Sequence, residues 1–340
     1  MNSVETIKQE EAQKPELRGY KTVCAKLGLS MCAYFIFRFL ATLASAGLSS
    51  ISDNINESLL GLLNYFIVII MVYIIPLIFT VVIFKYKTPL RVLYKKPRRV
   101  VRYLGTFPAA YGLGYGVALL TLLATFLLSK IFGGETYIEQ ILRPTTVEAT
   151  TNITELIMMM ILLVVVAPIF EEYWVRGVMF DALAPYGAGI AILLSSLLFG
   201  LMHGTLYMLF YTFAFGLALG YIRYASGSLF VVTILHALVN SVSATILFLQ
   251  SLSDITKGQN RVLNTVEMIY IVIVLVLVLV GVIAFFARIP KMRKYKFENP
   301  WTEIGPWKKI GIFAVSIPII IMAVLAFNEL SGFLLFDLLR

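Results

Sequence analysis

The chain contains little charge and few cysteine or histidine residues. Charged residues make up 14% of its 340 residues and hydrophobic residues 59%, with a mean hydropathy of +0.88. The two cysteines, Cys24 and Cys32, lie in or near one apolar run and have no partner cluster elsewhere. The sequence therefore indicates neither a disulfide framework nor a thiolate metal site. It also lacks internal repeats and low-complexity segments, and the composition predicts a polytopic membrane protein.

Nine apolar runs are long enough to cross about 30 Å of hydrocarbon as helices. They lie near residues 27–48, 59–84, 104–129, 154–180, 187–204, 206–225, 228–250, 266–288 and 310–330. We therefore expect an all-α fold, a polytopic transmembrane helix bundle of about nine spans. The predicted organisation is a cytoplasmic N-terminal tail at 1–26, transmembrane helices and an external loop at 27–153, a core with the motifs described below at 154–250, and C-terminal transmembrane helices at 251–340.

The basic residues are distributed unevenly between the two sides of these predicted spans. Of the 28 Lys and Arg residues, 22 fall in one set of alternate joins and 5 in the other, while Arg38 lies within the first span. Because cytoplasmic joins are enriched in Lys and Arg, the N-terminus is predicted to be cytoplasmic. The net charge of +9 then indicates anionic membrane lipids as partners rather than nucleic acid. We expect a multi-pass protein of the cell membrane, of the bacterial plasma-membrane type.

Two adjacent acids, Glu171 and Glu172, interrupt the fourth apolar run. Helical spacing puts Glu172 and Arg176 on one face, with the acid N-terminal to the base, which favours an ion pair. Glu171 is rotated by about 100° and has no basic residue three or four positions away. An intramembrane acid without a nearby base is hard to explain by packing alone. We interpret Glu171 as a candidate general base, whereas for Glu172 with Arg176 a structural role, as a buried ion pair that fixes helix packing, stays open.

The only two histidines, His203 and His236, also lie deep in apolar runs. Counted from the cytoplasmic joins, the two histidines, Glu171 and Asn240 lie about 12–24 Å into the bilayer. A spread of about 10 Å in depth is compatible with one cluster, because transmembrane helices can be tilted. His236 and Asn240 are four residues apart and share a helix face. A histidine satisfied by its neighbours is the usual alternative, but two histidines at compatible depth weaken it.

A carboxylate, two imidazoles and an amide together suggest hydrolysis. A carboxylate and a histidine that share a water can direct it to a carbonyl, while an imidazole and an amide can stabilise the oxyanion. The nearby serines lack the glycine pattern of a nucleophile elbow, so a serine mechanism is weakly supported. A zinc site built from a glutamate and two histidines stays open, although no His-Glu-x-x-His helix is present.

At these residues the chain resembles the CAAX prenyl protease and bacteriocin-processing family, also called Abi, of intramembrane glutamic endopeptidases. Its motifs Glu-Glu-x-x-x-Arg, Phe-x-x-x-His and His-x-x-x-Asn are matched in order on successive helices by Glu171, Glu172, Arg176, Phe199, His203, His236 and Asn240. The resemblance extends over roughly residues 155–250. Val175 stands where the family commonly has an aromatic residue, and the ninth span is additional to the usual eight.

The resemblance implies an endopeptidase that cuts a membrane-associated or lipidated peptide or protein. It implies that Glu171 and His203 activate the water, that His236 and Asn240 form the oxyanion hole, and that Glu172, Arg176 and Phe199 support the site. It further implies a mechanism without metal or cofactor, in a cavity inside the bundle.

Three alternatives stay open: a zinc-dependent protease with the same residues as ligands, a proton-coupled transporter, and, from the family resemblance, a non-catalytic bacteriocin immunity protein. A transporter would be expected to show an inverted repeat with two interrupted helices, and Pro168 has no counterpart in the other half.

Overall fold

The computed structural model describes residues 3–50, 56–132, 150, 152–293 and 304–330. The regular elements within these ranges are all helical, which confirms the predicted all-α bundle. The longer helices are α1 (Ser3–Ser50), α2 (Glu57–Phe84), α3 (Phe107–Phe132), α4 (Ile153–Tyr186), α5 (Ala188–Leu201), α6 (Leu206–Ser226), α7 (Leu229–Ile255), α8 (Arg261–Arg293), α9 (Pro306–Ala314) and α10 (Ile317–Leu330). Two short helices, Leu90–Leu93 and Val100–Leu104, lie between α2 and α3.

Within the described residues, seven helices are long and apolar enough to cross a membrane, and the bent pair α9 and α10 would make an eighth. The run predicted as a span at 187–204 contains α5, whose 14 residues fall short of the roughly 20 that a crossing needs. The run predicted at 310–330 is divided by a bend of 67°. Pro318 lacks the N–H that would bond to the carbonyl of Ala314, so the helix is interrupted there. Hydropathy located these two apolar runs but not the breaks within them.

Glycines allow two pairs of helices to approach at backbone distance. A Cβ on Gly112 of α3 would lie 2.0 Å from the carbonyl carbon of Gly281 on α8. A Cβ on Gly28 of α1 would lie 2.5 Å from the backbone of Pro318 on α10. Small residues at helix crossings are typical of membrane bundles, where close backbone packing replaces the hydrophobic effect as a source of association. These contacts fix α8 against α3, and α10 against α1.

Helix α4 begins at a capping residue, and its C-terminal half is buried in the bundle. Asn152 Oδ1 accepts hydrogen bonds from the N–H groups of Thr154 at 3.0 Å and Glu155 at 3.4 Å, which satisfies two donors at the helix start. Further along, Trp174 and Arg176 are completely buried. The external loop predicted ahead of α4 lies almost entirely outside the described residues. Helix α4 packs against α5 and α7 and carries the two adjacent acids into the core.

Candidate active site

The segment of α4 that carries the acids lies between two π-helical stretches, Leu162–Val166 and Tyr173–Met179. In the first stretch the N–H of Ala167 bonds to the carbonyl of Leu162, five residues back. The next residue, Pro168, has no N–H to offer the carbonyl of Leu163. The Nδ2 of Asn240 on α7 donates to that carbonyl at 2.9 Å. One amide hydrogen of Asn240 therefore caps the backbone acceptor that the proline leaves unpaired.

Glu172 is the centre of a buried charged cluster. Its Oε1 accepts hydrogen bonds from Nη1 of Arg176 at 3.0 Å, and it lies 2.8 Å from Nδ1 of His236. Glu172 and Arg176 are 0% exposed and His236 is 3% exposed. The Glu172–Arg176 pair expected from the spacing of four residues is thus present. Because the carboxylate of Glu172 faces Nδ1, it orients the imidazole so that Nε2 points away from it.

Glu171 faces a different environment from its neighbour. The O–H of Tyr73 on α2 donates to its Oε1 at 3.4 Å, and its Oε2 lies 3.8 Å from Nε2 of His236. The second distance exceeds that of a direct hydrogen bond. The side chain is almost buried, and no Lys or Arg within the described residues forms an ion pair with it at 4.0 Å or less. Glu171 therefore lies between a tyrosine and an imidazole rather than beside a cation.

The ring of Phe199 contacts both histidines. Its ring lies 4.8 Å from the ring of His203 and 5.6 Å from that of His236, both edge-on. On the same ring, the guanidinium of Arg176 stacks at 4.1 Å from the centroid. The carbonyl of Phe199 also lies 2.8 Å from Nδ1 of His203. If Nδ1 carries the proton, it donates to this carbonyl, and Nε2 is the nitrogen of His203 left to face a reactant.

The structure places all seven motif residues on α4, on α7, on α5 and in the turn after α5. The imidazole closest to Glu171 is that of His236, whereas the family resemblance implies that Glu171 acts together with His203. Within the described part of the chain, His203 forms no ion pair with Glu171 or Glu172. His203 is instead connected to the cluster through the ring of Phe199.

Further residues reach this cluster from outside the motifs. Tyr73 contacts Glu171, the ring of Phe215 lies 5.6 Å from that of His236, and the carbonyl of Gly216 accepts from Nη2 of Arg176 at 3.3 Å. The sequence offers no signal for these residues, because aromatic and small residues are common in every apolar run. Each contact comes from a helix other than α4.

At the end of α4 that is predicted to be cytoplasmic, a polar cluster connects the site helix to α6 and to the segment that follows α2. Arg223 donates through Nε to the carbonyl of Arg176 at 3.1 Å and through Nη2 to Asp181 at 2.9 Å. Tyr86 donates its O–H to the other oxygen of Asp181 at 2.6 Å. Burial raises the pKa of Tyr86, and the bond to Asp181 raises it further, so the phenol stays protonated. The cluster fixes the backbone that follows the two acids.

Among the described residues, no group of three or more His, Cys, Asp or Glu side chains is arranged to hold a metal ion. Nδ1 of His236 and Nδ1 of His203 already face the Glu172 carboxylate and the Phe199 carbonyl. Each imidazole therefore has one ring nitrogen, Nε2, that faces neither the Glu172 carboxylate nor the Phe199 carbonyl.

Comparison with known families agrees with the motifs. Residues 153–242 match the family model described as type II CAAX prenyl endopeptidase Rce1-like. Searches against curated proteins and against solved structures gave no significant match. The matched segment runs from the start of α4 into α7 and contains all seven motif residues. The match confirms the resemblance in sequence: residues 153–242 are similar to the type II CAAX prenyl endopeptidases of the Rce1-like family.

Proposed function

We propose that this protein is an intramembrane endopeptidase in which Glu171 activates a water molecule for attack on a peptide carbonyl. The observation that carries the proposal is the contrast between the two adjacent acids. Glu172 is paired with Arg176 at 3.0 Å, whereas Glu171 is almost buried and lies between Tyr73 and His236 without a cation. A carboxylate in such a setting can accept a proton from water and return it to the leaving amine.

The roles of the two histidines follow from which ring nitrogen each has available. With Nδ1 of His203 turned to the Phe199 carbonyl, Nε2 can accept a hydrogen bond from the attacking water. With Nδ1 of His236 turned to Glu172, Nε2 is the ring nitrogen left to donate to an oxyanion. We therefore propose that His203 assists Glu171 at the water, and that His236 acts at the oxyanion.

Asn240 is proposed to act with His236 at the oxyanion. One of its amide hydrogens is used on the Leu163 carbonyl, at 2.9 Å. An amide nitrogen carries two hydrogens, so the second is the one that would bind the developing negative charge. In this proposal Asn240 serves both the backbone of α4 and the reaction.

Cleavage can be measured in reconstituted vesicles with a quenched peptide that ends in a prenylated Cys-aliphatic-aliphatic-X sequence. Glu171→Gln is expected to lower kcat by at least about 100-fold, since it removes the general base but keeps the shape. Glu155→Gln is the matched control, because Glu155 lies at the other end of α4 and bonds to Thr150. Full activity of Glu171→Gln would refute the mechanism. Loss of activity in the control would show that the assay reports folding rather than chemistry.

We further propose that the reaction needs no metal ion. The support is the sequence resemblance at Glu171, His203 and His236, which implies a mechanism without metal. Extensive dialysis against a chelator is expected to leave kcat unchanged. Loss of activity that zinc alone restores would instead favour the zinc-dependent alternative.

The proposed substrate is a lipidated or membrane-inserted peptide, cut in a cell membrane with the N-terminus of the protease in the cytoplasm. The support is the Rce1-like match together with the distribution of Lys and Arg. The preference for a lipidated substrate is tested with the same quenched peptide without its lipid, which should be cleaved more slowly. The orientation is tested by adding a protease to intact cells in which the protein carries an N-terminal tag. The tag should resist digestion until the membrane is permeabilised.

A further inference from the structure

Arg38 lies within the first predicted span, where a charge is costly. It is on α1, and its Nε forms an ion pair with Oε1 of Glu329 on α10 at 2.6 Å. Both side chains are largely buried, at 21% and 26% exposed. A paired charge in the interior of a membrane bundle reduces the cost of each member but does not by itself explain why the pair is there. The other contacts of Arg38 suggest a reason.

The remaining donors of Arg38 are directed at the end of α5. Nη1 of Arg38 donates to the carbonyl of Met202 at 2.7 Å, and the O–H of Tyr34 donates to the same carbonyl at 2.8 Å. Nη1 also lies 2.9 Å from the Tyr34 oxygen. The last carbonyls of a helix lack partners within the helix, so they must be satisfied from outside. Here α1 supplies two donors to the residue directly before His203.

The residue directly after His203 is held by the same ion pair. Gly204 has a φ of +73°, which ends the helical course of the chain. A Cβ at Gly204 would lie 2.8 Å from Nη2 of Arg38 and 3.2 Å from Oε1 of Glu329. The turn is thus packed directly against both charged groups. The ion pair and Tyr34 contact both neighbours of His203.

We propose that Arg38 and Glu329 are positioning residues for His203. Arg38 binds the Met202 carbonyl, Glu329 fixes the guanidinium in the orientation that allows this, and both confine Gly204. Neither residue belongs to the matched segment 153–242, so α1 and α10 supply part of the site from outside it. In this proposal the last apolar run of the chain contributes to the reaction by helping to hold the turn that carries His203. The effect on activity rests on the proposed role of His203, whereas the effect on the order of His203 does not.

The presence of only two histidines in the chain allows a direct test. Protein labelled with ¹⁵N-histidine gives two sets of imidazole signals, and His203→Gln assigns them. In the unmodified protein, the His203 signals are expected to report one tautomer, with the proton on Nδ1 facing the Phe199 carbonyl. In Arg38→Lys and Glu329→Gln, the His203 signals should broaden or show a second tautomer, while the His236 signals stay in place.

Two further variants make the test specific. Tyr34→Phe removes one donor to Met202 without touching a charge, and it should disturb the His203 signals less than Arg38→Lys does. Lys309→Met is the matched control, because Lys309 also joins a C-terminal helix to α1, through Glu16 at 3.4 Å, and donates to the Tyr186 carbonyl. It should leave the His203 signals unchanged. If it alters them as strongly as Arg38→Lys, the ion pair serves only to attach the C-terminal helices, and the proposal is wrong.

Activity provides the second measurement. A displaced catalytic group commonly lowers the rate by about 10- to 100-fold, so Arg38→Lys and Glu329→Gln should lower kcat by this factor with little change in KM. Unchanged His203 signals in both folded variants would overturn the proposal whatever the activity. Full activity of His203→Gln would instead refute the proposed role of His203, and the signals of the Arg38 and Glu329 variants would still decide whether the turn is held as described.

Discussion

Replacing Arg176 by methionine should destabilise the protein far more than replacing the neighbouring Glu171 by glutamine. Arg176 is completely buried, and it is the cation that neutralises Glu172, which is also 0% exposed. Removing one member of a buried ion pair leaves an uncompensated charge and costs about 3–5 kcal/mol. The substitution also removes the donor to the Gly216 carbonyl. The free energy of unfolding should therefore fall by about 3–5 kcal/mol.

Glu171→Gln makes a much smaller change to the energy of the folded state. The only hydrogen bond of Glu171 to a side chain in the described residues is the one from Tyr73, at 3.4 Å, near the limit for such a bond. Glutamine has nearly the same shape and keeps an oxygen that can accept this bond. We expect a change in stability below about 1 kcal/mol, together with the loss of cleavage described above.

A double variant separates the loss of charge balance from the loss of packing. In Arg176→Met with Glu172→Gln, no buried charge is left unpaired, so a large part of the lost stability should return. Unfolding can be followed in mixed micelles by circular dichroism as denaturing detergent is added. The reasoning fails if Arg176→Met is no less stable than Glu171→Gln. It also fails if the double variant is as unstable as Arg176→Met alone, because the cost would then come from lost packing.

Three further variants test individual contacts. Tyr73→Phe removes the hydroxyl that faces the proposed base, and kcat should fall by about 2- to 10-fold with unchanged stability. Asn240→Leu leaves the Leu163 carbonyl without its donor, so unfolding measurements should show a loss of about 1–3 kcal/mol in addition to any loss of activity. Gly112→Ala places a methyl group 2.0 Å from the backbone of α8 and should destabilise by about 1–3 kcal/mol in a thermal assay, whereas Gly47→Ala, with open space around it, should not.

The parts of the site that the sequence predicts are those that depend on spacing along one helix. Glu172 and Arg176 are four residues apart and form the expected pair. His236 does reach the two acids on α4. These predictions succeed because the rise per residue and the rotation per residue of a helix are nearly constant.

Contacts between distant helices could not be predicted in the same way. Transmembrane helices are apolar all round, so the sequence does not reveal which face of α2 or α10 is turned inward. Tyr73 and Glu329 therefore became visible only in the structure, although Arg38 could be recognised as a charge in a span. The π-helical stretches of α4 were also not predicted, because one added residue per turn leaves no pattern in an apolar run.

The buried pair of Glu172 and Arg176 has a consequence beyond stability. Such pairs can often be replaced by apolar residues of similar volume without loss of stability. In this protein, however, the same carboxylate oxygen that binds Arg176 also lies 2.8 Å from Nδ1 of His236, while Nε2 of that ring points toward Glu171. An apolar replacement of both residues would keep the core filled but would remove the group that selects the orientation of the imidazole. Such a double replacement should therefore retain stability but abolish activity, because the pair orients His236 as well as neutralising buried charge.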